Sequence, residues 1–233
     1  MNYLLVHGLG LSAEIWSRLR PHLNGQVLAV NLPGHGDSDS DLYLWQDMLE
    51  SILIDSAVSQ WAETIVVLHS FSACLLPEFV RLGVKPHKVV LIEGILHSSD
   101  AHWSNAIASM SERNYLAWLS RFRTVSEIAL RHQLVSPVTK PELEMWSKAF
   151  RVVRANALWA MAKNLQARLN TDDLLLQIAN VEFPVIYLRG EHSRLSSQGR
   201  DCIAGIPIPI KEISASGHFP MIDNPLGLAE LLN

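Results

Sequence analysis

The sequence predicts an α/β fold in which about six parallel strands, flanked by helices, form one sheet. First, short continuous runs of apolar and β-branched residues recur along the chain, as in strands that are buried on both faces of a parallel sheet. Second, stretches with a helical pattern separate these runs, and such alternation is typical of right-handed crossover connections. Third, one long interval carries helical patterns only, which predicts a helical insert.

The predicted strands and helices follow in chain order. Six apolar runs predict strands at residues 3–6, 27–30, 65–68, 89–92, 185–188 and 208–213. Residues 12–23 predict a helix that Ser12 caps, and residues 42–62 predict a second helix. Asp172 and Asp173 are expected to cap a further helix that follows them.

The helical insert is assigned to residues 96–180, which leaves residues 1–95 and 181–233 as the sheet core. Tryptophan and methionine are frequent in the insert, and most of them are expected to lie on the apolar faces of packed helices. A few side chains are expected to line a substrate pocket instead. These predicted pocket residues are His7, Trp103, Trp118 and Trp159.

The composition excludes several classes of protein. A hydrophobic content of 48% over 233 residues supplies a large core, which argues against intrinsic disorder. The chain has 19 basic and 23 acidic residues and no run of Lys or Arg, so nucleic acid is not an expected partner. No segment approaches the roughly 20 apolar residues that span a bilayer, and a soluble, cytoplasmic protein is expected.

Metal and disulfide sites are not expected. Cys74 and Cys202 are too few for a disulfide framework and lack the paired spacing of a zinc site, so buried free thiols in a reducing compartment are predicted. His97 and His102 match no metal-binding spacing on a helix.

Four of the six predicted strands end in residues that can carry chemistry. The first is followed by HGLG at residues 7–10, the second by NLPGHGDS at 31–38, the third by HSFS at 69–72, and the last by SGHFP at 216–220. Ligands of open parallel sheets gather at the carboxyl ends of the strands. We therefore expect these four segments to meet in one site.

The order of these motifs resembles that of the α/β-hydrolase fold family, and the resemblance covers nearly the whole chain. The family's pattern has an HG-containing oxyanion loop, a D-x-x-G-x-G-x-S-like loop, a nucleophile elbow, a helical cap after the sixth strand and a late Gly-His pair. Asn31 replaces the usual Asp of the second motif. The resemblance implies a short, serine esterase-like form that lacks the family's first two antiparallel strands and retains six parallel ones.

A serine hydrolase requires a hydroxyl nucleophile, a base, an acid that orients the base, and two backbone N–H donors for the oxyanion. Ser70 and His218 are predicted to be the nucleophile and the base. The predicted oxyanion donors are the amides of Leu9 and Phe71, the second because it opens a helix after the nucleophile. Neither a metal nor an organic cofactor is required.

Two serines compete for the role of nucleophile. With Ser70, the glycine positions of G-x-S-x-G are occupied by Leu68 and Ser72. With Ser72, both flanking positions carry small residues, namely Ser70 and Cys74. Ser70 is favoured because the His-Ser-Phe sequence resembles the G-H-S-F-G-G form of the family, and His69 is then expected to make a structural hydrogen bond.

The acid of the triad departs from the usual pattern of the family. Most members carry it in a G-x-x-D-like segment after the seventh strand, where this chain has Ser193. A subset places the acid at the end of the strand after the nucleophile strand, and the resemblance to that subset assigns Glu93. Glu191 is the alternative.

The sequence therefore predicts a serine hydrolase that cleaves a small carboxylic ester or thioester through an acyl-enzyme. The same fold and triad also accommodate a lactonase, a C–C bond hydrolase or a hydroxynitrile lyase-like enzyme. A non-catalytic protein that binds a small ligand is an alternative of another class. The small-molecule substrate is the only expected partner, and the sequence does not fix the oligomeric state.

Overall fold

Six strands form one sheet in the computed structural model, which describes residues 1–171 and 173–233. The strands are β1 (Asn2–Val6), β2 (Gln26–Val30), β3 (Thr64–His69), β4 (Lys88–Ile92), β5 (Val185–Gly190) and β6 (Ile210–Ile213). Their order is β2-β1-β3-β4-β5-β6, and all neighbours are parallel. The predicted α/β fold is confirmed. β6 begins at Ile210 rather than at residue 208, since Pro209 has no N–H to donate to a strand ladder.

Helices cover both faces of the sheet and fill the interval between β4 and β5. They are α1 (Trp45–Ser56), α2 (Leu76–Arg81), α3 (His102–Ala108), α4 (Glu112–Arg131), α5 (Lys140–Val152), α6 (Ala155–Leu169), α7 (Asp173–Ala179), α8 (Ser197–Ala204), α9 (Pro220–Asp223) and α10 (Pro225–Leu232). None of the helices in the described residues is long and apolar enough to cross a membrane.

Alternate residues of the strands enter two separate cores. Leu4 and Val6 of β1 point to one face and belong to the core that contains α1 and α2. Tyr3 and Leu5 point to the other face, where Trp16 is fully buried and α10 packs. Burial on both faces explains why the strands are continuous apolar runs in the sequence.

The predicted helix at residues 12–23 is wrong. The segment forms two 3-10 helices, Ala13–Trp16 and Arg20–His22. Ser12 makes no capping hydrogen bond to the described residues, and the Ala13 N–H donates to Asn31 Oδ1 at 2.7 Å instead. Pro21 prevents a regular helix because it lacks the N–H that would bond one turn back.

The second predicted helix is shorter than the sequence indicated. It begins at Trp45 and ends at Ser56, because Ala57 adopts a left-handed conformation with φ of 49°. Asp173 is the first residue of α7, whereas Asp172, predicted to cap the same helix, lies outside the described residues.

Helices α3 to α7 all lie between β4 and β5, and the described residues of that interval contain no strand. Within this segment α3 packs against α6, and α4 packs against α5. The segment docks on the sheet core partly through Trp146, whose indole N–H lies 3.1 Å from the Glu14 carbonyl oxygen and 3.0 Å from Ser17 Oγ. We call residues 96–180 the helical insert below.

The sheet order places a switch point at β1. The chain moves from β1 to β2 on one side and returns to β3 on the other side. In open α/β sheets, ligands bind outside the carboxyl ends of the strands at such a point. The loops that follow β1 and β3 meet there, since a Cβ added to Gly8 would lie 3.0 Å from the Cβ of Ser70.

Candidate active site

Ser70 occupies a strained turn between β3 and the 3-10 helix Ser70–Leu75 that leads into α2. Its φ of 56° lies in the left-handed region, which non-glycine residues rarely adopt. A serine in such a strand-to-helix turn projects its hydroxyl from the carboxyl end of the sheet. Its residual exposure of 7% leaves the residue accessible from the adjoining cavity.

Glycines from other segments provide the space that the elbow sequence itself lacks. Leu68, at the usual first glycine position, is fully buried in β3 beside Val6 of β1. The close approaches occur at Gly8, as described above, and at Gly94, where a Cβ would lie 2.7 Å from the Cβ of Ala73. The small residues that pack closely on this turn are thus those of the loops after β1 and β4, whereas the turn itself carries Leu68.

The hydroxyl of Ser72, the competing serine, forms hydrogen bonds with the backbone. Its hydroxyl lies 3.1 Å from the Val6 carbonyl oxygen and 2.9 Å from the His69 carbonyl oxygen, and the residue is fully buried. Its hydroxyl proton is therefore directed toward main-chain acceptors and away from the cavity.

His218 lies between Ser70 and Glu93. Its Nε2 is 3.1 Å from Ser70 Oγ, and its Nδ1 is 3.4 Å from Glu93 Oε2. The histidine follows β6 and precedes α9, whereas Glu93 follows β4, so the topology of the sheet brings them together. Such distances are within the range of catalytic hydrogen bonds in ligand-free enzymes, which shorten in complexes.

Glu93 is a buried carboxylate whose oxygens all have donors. The residue is 1% exposed and has a left-handed φ of 48°. Its Oε1 accepts the Gly190 N–H at 2.8 Å, and its Oε2 accepts the Ser193 hydroxyl at 2.9 Å. A buried charge requires such partners. Ser193, at the position where most of the family carry the acid, thus donates to the carboxylate that faces His218.

Glu191 lies elsewhere. Its Oε2 accepts the backbone N–H of Ala215 at 2.8 Å, and the residue is exposed. Within the described residues it makes no hydrogen bond to the His218 ring. Of the two carboxylates that the sequence offered, the structure brings only Glu93 to the histidine.

His69 makes a structural hydrogen bond, as expected. Its Nε2–H donates to the backbone carbonyl oxygen of His218 at 2.8 Å, and the two rings are 4.9 Å apart. Burial, followed by the neighbouring His218, lowers the pKa of His69 well below its usual value. A neutral His69 therefore supports the main chain of His218 without adding charge beside it.

Two neutral histidines tie the loop after β1 to the loop after β2. His7 Nε2 accepts the Leu32 N–H at 3.1 Å, and His35 Nε2 accepts the Gly10 N–H at 3.0 Å. In each ring Nδ1–H donates to a carbonyl oxygen, that of Gly8 or that of Pro33. This reciprocal arrangement fixes Gly10, the neighbour of Leu9, with its φ of 78°.

The burial of His7 and His35 makes the stability of the fold depend on pH. Burial, and to a lesser extent His35, lowers the pKa of His7 to about 3, and burial lowers that of His35 to about 4. Unfolded histidine titrates near 6.5, so the unfolded chain binds more protons as the pH falls below that value. Stability from these groups is complete above about pH 6.5 and is lost as the pH falls toward their folded-state pKa values.

We expect His35→Gln to flatten this pH dependence, because glutamine keeps an acceptor for the Gly10 N–H and does not titrate. Each buried histidine contributes a slope of up to about 1.4 kcal/mol per pH unit below pH 6.5. Urea unfolding at several pH values from 7 to about 4.5 measures this slope. His22→Gln, at an exposed histidine, is the control. An identical slope in wild type and His35→Gln contradicts the prediction.

The candidate oxyanion donors lie on the two loops that meet at the switch point. The Leu9 N–H has no hydrogen-bond partner among residues 1–171 and 173–233. Phe71 is in the first turn of the helix that begins at Ser70, where amides lack a carbonyl one turn earlier. Neither amide is thus bonded to a carbonyl oxygen within the described residues.

A cavity of about 400 Å³ opens at Ser70 and His218. Most of its wall is apolar, and the helical insert contributes aromatic side chains to it. These are Trp103, Phe122 and Phe150. Gly10 is needed where the loop after β1 meets this wall, since a Cβ there would lie 2.9 Å from the Phe150 ring and 3.1 Å from that of Trp103. The aromatic wall is thus in contact with the loop that carries Leu9.

Trp103 lines the cavity, whereas the other three predicted pocket residues lie outside the lining found in the described part of the chain. His7 is buried between two loops, as described above. Trp118 stacks on Phe122, a residue of the cavity wall, with ring centroids 5.0 Å apart. Trp159 stacks on Tyr115 at 5.5 Å, with the Lys163 ammonium 3.5 Å above its ring.

Comparison with known proteins identifies the family of this fold. The model of the alpha/beta hydrolase family matches residues 3–231, nearly the whole chain. The chain belongs to the alpha/beta hydrolase family. No curated protein matches the sequence significantly.

Solved alpha/beta hydrolase-like structures resemble the chain in fold at low sequence identity. The esterase EaEST from Exiguobacterium antarcticum is 12% identical, with a TM-score of 0.76 over 100% of this chain and 90% of that one. A thermophilic esterase from Thermogutta terrifontis is 17% identical, with a TM-score of 0.74 over 100% and 88%. Haloalkane dehalogenase DatA from Agrobacterium tumefaciens is 17% identical, with a TM-score of 0.74 over 99% and 88%. These likenesses show the fold and do not define the reaction of this alpha/beta hydrolase.

Several site residues of this alpha/beta hydrolase were not predicted from the sequence. Phe122 and Phe150 line the cavity, but in the sequence they are only apolar positions of amphipathic helices. His35 belongs to the NLPGHGDS motif, but the sequence does not show that its ring accepts the Gly10 N–H. No cluster of potential metal ligands exists among the described residues. Cys74 and Cys202 are free thiols, but only Cys74 is buried, so the prediction of two buried thiols is wrong for Cys202.

Proposed function

We propose that this protein is a serine hydrolase that cleaves a small carboxylic ester or thioester through an acyl-enzyme. The observation that supports the proposal best is the chain of contacts from Ser70 Oγ to His218 and from His218 to the buried Glu93. A hydroxyl, an imidazole and a carboxylate in this order can activate the serine as a nucleophile. The strained turn at Ser70 and the free Leu9 amide within the described residues support the same reaction.

In the first half of the reaction, Ser70 Oγ attacks the carbonyl carbon while His218 Nε2 takes its proton. The N–H groups of Leu9 and Phe71 stabilise the oxyanion of the tetrahedral intermediate. Glu93 holds the proton of His218 on Nδ1 and stabilises the imidazolium. Collapse of the intermediate transfers the proton to the leaving alcohol or thiol and leaves an acyl group on Ser70. Water, activated by His218, then releases the carboxylic acid.

The helical insert serves as a lid over the acyl pocket in this proposal. Its Trp103, Phe122 and Phe150 side chains provide an apolar wall beside Ser70, which suits an acyl chain better than a charged group. The cavity of about 400 Å³ is at the small end of the usual range of ligand sites, which agrees with a small substrate.

Fluorophosphonate labelling tests the proposed function directly. Only an activated serine reacts rapidly with such a reagent, so the protein is expected to take up one equivalent, located at Ser70 by peptide mass spectrometry. A set of chromogenic esters and thioesters then identifies the leaving group and acyl length that are turned over. A protein that is not labelled and hydrolyses none of these compounds would be a ligand-binding protein, and the proposal would be wrong.

The acyl pocket gives a separate prediction. Each methylene added to the acyl chain is expected to raise kcat/KM by up to about fourfold, equivalent to about 0.8 kcal/mol, until the cavity is full. Trp103→Ala enlarges the cavity, so the optimum is expected to move to longer chains. Trp159→Ala is the matched control, because this tryptophan of the same insert does not line the cavity. Equal optima in both variants, or kcat/KM independent of acyl length, would contradict the assignment of the pocket.

A further inference from the structure

Asp223, the last residue of α9, makes hydrogen bonds to two separate parts of the molecule. Its Oδ2 accepts the N–H of Gly217, the residue immediately before His218, at 3.0 Å. Its Oδ1 accepts the N–H groups of Val135 and Ser136 at 2.9 and 3.0 Å, and the Ser136 hydroxyl lies 3.2 Å away. The two oxygens of one side chain thus join the loop of the base to the connection between α4 and α5.

The same connection packs directly on the backbone of Gly217. A Cβ at Gly217 would lie 3.2 Å from Cγ2 of Val135 and 3.6 Å from the carbonyl oxygen of Gln133. The end of α4 and the start of the connection also reach the cavity, since Leu130 and Gln133 line it. A substrate in the cavity would therefore touch the segment that continues directly into the residues bound by Asp223.

We infer that Asp223 is a positioning residue that couples the alignment of His218 to the seating of the helical insert. The inference rests on the proposed function, because it gives His218 the role of base. A carboxylate only accepts hydrogen bonds, and those it receives are stronger than bonds between neutral groups. If residues 135–136 move away, one oxygen of this half-buried carboxylate loses its donors and the position of Gly217 is less well fixed.

The coupling operates in both directions. Because the Gly217 N–H and the insert share one carboxylate, a seated insert favours the aligned base, and an aligned base favours the seated insert. A substrate that fills the cavity and contacts Leu130 and Gln133 therefore stabilises the arrangement in which His218 faces Ser70. Catalytic alignment is then best when the acyl pocket is occupied.

Asp223→Asn tests the inference with little change in size. The Nδ2 amide cannot accept a hydrogen bond, so one side of the bridge is lost. We expect kcat for the preferred ester to fall about 10- to 50-fold, the magnitude of a loss in alignment of a base. Fluorophosphonate labelling should slow by a similar factor, while KM for a short acetyl ester changes less than kcat. A purely structural Asp223 would lower the melting temperature and leave kcat and the labelling rate unchanged, which would overturn the inference.

Two further variants separate the bridge from general loss of stability. Ser136→Ala removes only the hydroxyl donor on the insert side and is expected to lower kcat about threefold in the wild type but not in the Asp223→Ala background. Equal effects of Ser136→Ala in both backgrounds would contradict the bridge. Glu191→Gln is the control, since Glu191 binds the Ala215 N–H in the same loop and, among the described residues, has no bond to the insert. Its kcat should remain that of the wild type.

Failure of this inference is distinguishable from failure of the proposed function. A wild-type protein that neither hydrolyses esters nor reacts with the fluorophosphonate would overturn both. A wild-type protein that reacts, together with an Asp223→Asn variant that reacts equally fast, would overturn the role of Asp223 alone.

Discussion

Ser70→Ala is expected to lower kcat for a short chromogenic ester by about 10⁴-fold or more, the usual consequence of removing the nucleophile of a triad. The reason is that no other hydroxyl in the described residues lies beside His218 Nε2, which is 3.1 Å from Ser70 Oγ. The variant should fold, since alanine fits the space of serine, and fluorophosphonate labelling should disappear. Steady-state kinetics and intact-protein mass spectrometry measure the two effects.

Ser72→Ala is the matched control for this experiment. The Ser72 hydroxyl lies between the carbonyl oxygens of Val6 and His69, so its loss leaves buried acceptors with fewer donors. We expect labelling to persist at Ser70 and the free energy of unfolding to fall by about 1 to 3 kcal/mol. If Ser72→Ala abolishes labelling while Ser70→Ala retains it, the nucleophile has been assigned to the wrong serine.

The sequence predicted correctly those elements whose burial is visible in the pattern of their own apolar residues. Residues 3–6 of β1 and 65–68 of β3 are all apolar because both faces of these strands are buried, and this makes each strand recognisable in the sequence. The segment at 12–23 was mistaken for a regular helix because its conformation depends on Pro21 and on a bond from Ala13 to Asn31. The second of these is a contact between loops, which periodicity does not record.

The site was predictable to the extent that each residue belongs to a motif at a strand end. Contacts between segments could not be predicted in this way. Gly8 and Gly94, which pack closely on Ser70 and Ala73 of the elbow, lie in other loops. Helical periodicity identified apolar faces in the insert but not their neighbours. Trp118 was therefore expected to line the cavity, whereas it stacks on Phe122, which lines the cavity instead.

Glu93→Gln is expected to lower kcat by about 10³- to 10⁴-fold while the fold is retained. The carboxylate faces His218 Nδ1, and glutamine can present an N–H there, which favours the tautomer with its proton on the wrong nitrogen. Glu191→Gln should have almost no effect, because that carboxylate binds only the Ala215 N–H among the described residues. Near-normal turnover in Glu93→Gln would show that Glu93 only anchors the loop after β5 through Gly190.

Ser193→Asp adds a test in which the acid is moved to the position usual in the family. Ser193 Oγ is 2.9 Å from the same Glu93 oxygen that faces His218, so a carboxylate at 193 would occupy neighbouring space. In the wild-type background the two carboxylates would repel each other, and kcat should fall. In the Glu93→Gln background the new carboxylate can take over the orientation of His218, and about tenfold of the lost kcat should return. Recovery only in the double variant would show that a carboxylate at either position 93 or position 193 can orient His218. A further loss in the double variant would show that a carboxylate at position 193 cannot replace Glu93.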